Sequence, residues 1–142
     1  MSHVGICVSD PERSLAFYRD GLGFSEAREL AVEGEPAATL LRLPDVKLRA
    51  IYLERDGVCI ELLHYATPGA VGDSRPREMN RLGLTHLSLL VDDLDTALEQ
   101  LASRGAATLE ETRVQNPAMR ARAAFLTDPD GTLIELVETA AA

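Results

Sequence analysis

His3-Val4-Gly5-Ile6-Cys7-Val8-Ser9-Asp10-Pro11-Glu12-Arg13-Ser14-Leu15 lies over His86-Leu87-Ser88-Leu89-Leu90-Val91-Asp92-Asp93-Leu94-Asp95-Thr96-Ala97-Leu98. His, Val, Asp and Leu coincide at a constant offset, and this correspondence decides how the rest of the chain is read. A second one lies further on, where Asp56-Gly57-Val58-Cys59-Ile60-Glu61-Leu62-Leu63 matches Asp130-Gly131-Thr132-Leu133-Ile134-Glu135-Leu136-Val137. Each half therefore reads as a strand with an early histidine, a helix, several strands, and a last strand carrying Ile-Glu-Leu. Two copies of one supersecondary unit follow from that self-similarity.

Local signals agree. Val4, Ile6 and Val8 alternate with His3, Gly5 and Cys7, the period of a strand with one packed face. Asp10 followed by Pro11 predicts a helix start, with Leu15, Tyr18 and Leu22 as its apolar stripe and Gly21 or Gly23 as its end. Asp93 repeats the cap ahead of Leu94, Ala97, Leu98 and Leu101, and Gly105 repeats the stop. Asp56-Gly57 and Asp130-Gly131 predict tight turns before the final strands. The chain divides into module 1 (1–65), a connection rich in Pro, Gly and Arg (66–82), module 2 (83–138) and a frayed tail (139–142).

Composition narrows the class. The 142 residues are 46% hydrophobic and 26% charged, enough apolar content for a folded globule and about one domain in length. Apolar runs are far shorter than the roughly 20 residues of a membrane helix. Met1-Ser2-His3 leads straight into a strand pattern, so no secretion leader is expected. Two cysteines, Cys7 and Cys59, do not make a disulfide scaffold, and a cytoplasmic setting is the expectation. A net charge of −9 argues against nucleic acid as a partner. Lys47 is the single lysine against 13 arginines, a usage that points to a GC-rich, bacterial coding sequence.

Parity assigns faces. Val4, Ile6 and Val8, like Leu87, Leu89 and Val91, take the helix side, which leaves His3 and His86 opposite. Ile60 and Leu62 flank Glu61, and Ile134 and Leu136 flank Glu135, so both glutamates share the histidines' face. A carboxylate inside an apolar strand is expensive to bury alone. A lone strand histidine is ordinarily a surface or hydrogen-bonded residue. The same His and Glu recurring in the same two slots instead predict a shared divalent cation: zinc, nickel, cobalt, iron or manganese. His64 has the other parity and reads as structural. Cys7 and Cys59 share the histidines' parity and read as small apolar residues. Of Arg75, Arg77, Arg81, Arg120 and Arg122, Arg122 is the expected contact for an anionic substrate.

The chain resembles the vicinal oxygen chelate superfamily, the group of glyoxalases, bleomycin-resistance proteins and extradiol dioxygenases. The likeness rests on His3-Val4-Gly5-Ile6 with Ser14-Leu15-Ala16-Phe17-Tyr18, on Ile60-Glu61-Leu62, on Gly83-Leu84-Thr85-His86-Leu87, and on Asp128-Pro129-Asp130-Gly131 with Ile134-Glu135-Leu136. It implies an α+β fold of two βαβββ modules forming a curved, half-barrel mixed sheet around one metal ion, with His3, Glu61, His86 and Glu135 as ligands. It also implies a homodimer and a small-molecule substrate, with neither nucleic acid nor membrane as partner. The implied chemistry is proton abstraction beside a carbonyl, as in glyoxalase-type lyases and methylmalonyl-CoA epimerases, with Glu135 as first base and Glu61 as second. Glyoxalases hold glutathione with an Arg and an Asn where this chain has Cys7 and Tyr65, and Thr85 interrupts the His-His of the epimerases. A metal-free protein that sequesters an antibiotic or metabolite is one alternative. An iron-dependent extradiol dioxygenase using His3, His86 and Glu135 is another.

Overall fold

A computed structural model describes residues 1–140. Contacts divide the chain into two compact units, Met1–Gly72 and Asp73–Ala142. Among the described residues no helix is long and apolar enough to cross a membrane.

The first unit runs β1 (Val4–Cys7), α1 (Pro11–Tyr18), β2 (Ser25–Glu33), α2 (Glu35–Leu41), β3 (Lys47–Arg55) and β4 (Val58–Thr67). Asp10 caps α1 as its sequence predicts, its carboxylate accepting from the N–H groups of Glu12 and Arg13. The helix stops at Tyr18, earlier than the predicted glycines, and the chain turns through to Gly23 at φ 74°. The sheet order is β1-β4-β3-β2, with β1 parallel to β4 and the other pairs antiparallel. Ile6, Ile51, Leu53, Ile60 and Leu62 are buried on one face with Leu15, Phe17 and Tyr18 of α1. Arg49 reaches from that face to Glu12 of α1 at 2.7 Å.

Asp56 and Gly57 join β3 to β4, both at positive φ (52° and 77°), the mirror-image turn that suits the twist of a two-residue hairpin. A Cβ at Gly57 would meet nothing within 4 Å, so only backbone strain opposes a side chain there. Gly57→Ala should therefore destabilise the protein by about 1 kcal/mol in urea titration, without disturbing neighbouring contacts.

Helix α2 is absent from the expected βαβββ pattern. It starts at Gly34 without a side-chain cap and ends at Arg42 in the left-handed region. It covers the sheet face opposite α1, where Ala37 packs with Val46, Leu48, Ala50 and Tyr52.

The second unit runs β5 (Leu87–Val91), α3 (Leu94–Ala102), β6 (Ala107–Asn116), β7 (Ala121–Thr127) and β8 (Leu133–Thr139). Its sheet order, β5-β8-β7-β6, repeats the first, again with the histidine-proximal strand parallel to the glutamate strand. Asp93 caps α3, whose Leu94, Leu98 and Leu101 are buried, as are Ala124, Leu126, Ile134 and Leu136 of the sheet. No helix links β6 to β7. A turn ending at Arg120 (φ 50°) replaces it, and Leu90 and Val114 stay exposed on the face opposite α3.

Asp130-Gly131 belongs to a longer loop than the tight turn its sequence predicts. The Asp128 carboxylate accepts from the N–H groups of Asp130 and Thr132. Gly131 is at φ 91°, and a Cβ there would overlap the Ser74 backbone. Of the predicted tail, Thr139 ends β8 and the Ala140 N–H donates to the Arg120 carbonyl, while 141 and 142 lie outside the described residues.

The half-barrel expectation is corrected here. The strands form two separate four-stranded sheets, and neither is curled or closed. Closure requires the terminal strands of a sheet to hydrogen-bond onward. These ladders end at β1 and β2 in one sheet and at β5 and β6 in the other.

Candidate functional site

The parallel pairing of β1 with β4 sets Gly5 opposite Glu61, so His3, two residues earlier on the same face, reaches the carboxylate. His3 Nε2 lies 2.9 Å from Glu61 Oε2. In the second unit Ser88 is opposite Glu135, and His86 Nε2 lies 3.6 Å from Glu135 Oε2. The glutamate side chains are 13% and 28% exposed, so each carboxylate is partly desolvated yet open to a small ion.

Each pair has an aromatic wall. Tyr52 is the β3 partner of Glu61, and its ring meets His3 edge-on at 5.4 Å and 87°. Phe125 is the β7 partner of Glu135 and meets His86 at 5.1 Å and 87°. Such edge-to-face contacts fix the plane of an imidazole. Neither aromatic is found by alternation alone. A usable signal is an aromatic-leucine pair ahead of each Asp-Gly: Tyr52-Leu53 before Asp56-Gly57, and Phe125-Leu126 before Asp130-Gly131.

The two glutamates take their hydroxyl donors from different strands. Glu61 hydrogen-bonds the Tyr52 phenol, which together with burial raises the phenol's pKa, while the Arg28 guanidinium 4.0 Å over the ring opposes the rise. Phe125 has no hydroxyl, and Glu135 instead accepts from Ser88 Oγ at 2.6 Å. Gly5 occupies the position of Ser88 in the first unit, where a Cβ would press on Leu63 at 3.1 Å. Burial pushes the Tyr65 phenol up, with the neighbouring Cys7 and Glu61 adding to it.

The remaining candidates fall elsewhere. Arg122 pairs in register with Glu138, on the α3 side of the sheet and opposite to Glu135. Its guanidinium is bound by Asp95 of α3 at 2.5 Å and by Glu138 at 3.2 Å, and it lines a cavity of about 340 Å³ with Gln115, Asn116 and Arg120. Arg122 stands an odd number of residues from Phe125, so it lies on the other face of the sheet from His86 and Glu135. Arg77 is used internally: its guanidinium donates to the carbonyls of Arg81, Leu82 and Leu84, bracing the approach to His86. Arg75 pairs with Asp73. His64 Nδ1 is buried with no hydrogen-bond partner among the described residues. Cys7 is exposed and Cys59 half-buried, and no disulfide joins them.

Within one unit the His–Glu pair supplies one nitrogen and one oxygen donor. Among the described residues no group of three or more His, Cys, Asp or Glu side chains gathers as a ready metal cage. Each pair taken by itself is a two-donor set, one nitrogen and one oxygen, of a chemistry that suits borderline divalent cations.

Comparison with known proteins gives the wider setting. The uncharacterized protein YaeR of Escherichia coli K12 is 34% identical over 136 residues, covering 96% of this chain and 93% of its own. The uncharacterized protein YwkD of Bacillus subtilis 168 is 33% identical over the same length, covering 96% and 94%. A solved glyoxalase family protein from Bacillus cereus superposes with a TM-score of 0.83 at 25% identity, covering 97% of this chain and 92% of its own. The family model of the Glyoxalase/Bleomycin resistance protein/Dioxygenase superfamily matches residues 1–136. With that match spanning nearly the whole sequence, and with both units built on one plan, the chain belongs to this superfamily.

Proposed function

We propose that the protein is a divalent-metal-dependent enzyme that moves a proton at the carbon beside a carbonyl of a small, oxygen-chelating substrate, as a lyase, isomerase or epimerase. The observation that carries this reading is the duplicated pair: His3 with Glu61 and His86 with Glu135, each on one face of its own sheet with Nε2 turned to the carboxylate. His3, Glu61, His86 and Glu135 are the side chains that would hold such an ion, each pair offering one nitrogen and one oxygen donor. Bound there, a zinc, nickel, cobalt, iron or manganese ion would draw electron density from the substrate oxygens and make the adjacent C–H more acidic.

The side chains do the rest. Glu135 acts as base, its carboxylate aligned by Ser88, and returns the proton to the same or the neighbouring carbon. Glu61 is the counterpart from the other unit and suits a second base. Tyr52 and Phe125 hold the imidazoles and exclude water from one side of each pair.

Two measurements on the full chain test the proposal. Chelator-treated protein should take up about one divalent ion per two His–Glu pairs. It should then exchange the substrate's α-hydrogen with D₂O, assayed on the glutathione–methylglyoxal hemithioacetal and on methylmalonyl-CoA, and stop when metal is removed. Tight, stoichiometric binding of a ligand without metal and without exchange would replace this reading by a sequestering protein.

A further inference from the structure

The residue before each histidine carries a hydroxyl, and in both units it lies on the ring's Nδ1. Ser2 Oγ is 3.1 Å from His3 Nδ1, and Thr85 Oγ1 is 2.9 Å from His86 Nδ1. Each imidazole thus has a hydroxyl at Nδ1 and turns Nε2 toward a carboxylate, at hydrogen-bond distance in His3 (2.9 Å) and at the longer ion-pair distance of 3.6 Å in His86. The aromatic wall holds the ring plane between them.

A neutral imidazole has one N–H and one bare nitrogen. A carboxylate only accepts, so without a cation the hydrogen sits on Nε2 and the bare Nδ1 needs a donor. A cation on Nε2 needs the lone pair there, so the hydrogen moves to Nδ1, which then needs an acceptor. A backbone carbonyl or carboxylate at Nδ1 serves only the second state, and an N–H donor serves only the first. A Ser or Thr hydroxyl serves both by turning about its C–O bond.

From this geometry we infer that Ser2 and Thr85 are positioning residues that let His3 and His86 exchange tautomer in place as a divalent cation binds and leaves. Nε2 releases its hydrogen to water and Nδ1 takes one from water. The ring remains neutral, and the hydroxyl rotates without ionising. Thr85 carries the larger effect, because it is half-buried whereas Ser2 is exposed and water can replace it. The inference rests on reading His3 and His86 as ligands, so one arm of its test is independent of metal.

The experiment is ¹⁵N NMR of histidine-labelled full chain at a pH where the rings are neutral, with zinc titration in parallel. Wild-type His86 should show the Nε2–H form without zinc and the Nδ1–H form with it. Thr85→Val keeps the side-chain shape and should weaken zinc binding about tenfold. In the metal-free spectrum it should turn the single tautomer into a mixture, and Thr85→Ser should restore both properties. Unchanged zinc affinity with unchanged spectra in Thr85→Val would overturn the inference. Failure of the wild type to take up zinc would count against the metal reading alone. The metal-free spectra would then decide, a mixed tautomer in Thr85→Val supporting the hydroxyl's role and identical spectra refuting it.

Discussion

Glu135→Gln is expected to lower turnover by roughly 10²–10⁴-fold, the range that a positioned general base contributes. The carboxamide has the shape of the carboxylate and still accepts from Ser88 Oγ, which stands 2.6 Å from Glu135. It cannot take a proton from carbon. Urea midpoint and far-UV circular dichroism should therefore match the wild type, and zinc should still bind, though more weakly. Glu61→Gln is the informative comparison, because Glu61 is the less exposed of the two and is tied to the Tyr52 hydroxyl. If the Glu135→Gln variant retains full α-hydrogen exchange while the Glu61→Gln variant loses it, the two glutamates have the reverse of the roles proposed here.

Leu62→Ala should have the largest effect on stability, about 2–5 kcal/mol. Leu62 is fully buried in β4, between its register partners Ile6 in β1 and Ile51 in β3, and α1 packs on that face. Truncation leaves a void that three strands and a helix cannot close without breaking their ladders. The measurement is a urea titration followed by circular dichroism. Leu40→Ala serves as the control, since that side chain is 81% exposed and its loss should change stability by less than about 0.5 kcal/mol. A loss for Leu62→Ala as small as the control's would mean that the β1–β4 seam is not part of the cooperative core.

Much of this architecture is legible in the sequence because duplication prints each signal twice. The Asp10 and Asp93 caps and the Asp56-Gly57 turn follow from short-range patterns, whereas the meeting of each histidine with its glutamate depends on which strands pair. Helix α2 is illegible for a physical reason: it has no side-chain cap at Gly34, and it ends on Arg42 rather than a glycine. The half-barrel fails because hydrogen bonding between edge strands is a non-local property that no periodicity encodes. The face of Arg122 needs the register: β7 is regular from Ala121 to Thr127, so Arg122 lies on the opposite side from its odd-spaced neighbour Phe125. The Tyr52 and Phe125 walls require knowing which strand lies beside the glutamate, and pairing supplies that.

The placement of β1 and β5 at sheet edges, each parallel to a glutamate strand, also orders events in time. The β3–β4 hairpin closes on the microsecond scale, and the glutamate in it is set early. Val4 pairs with Ile60, and Leu87 with Ile134, across a long intervening segment, so the entropy of loop closure makes the histidine strand the one expected to dock late. Fraying of a single rim strand would withdraw one imidazole while its acid stays anchored, opening a His–Glu pair without global denaturation.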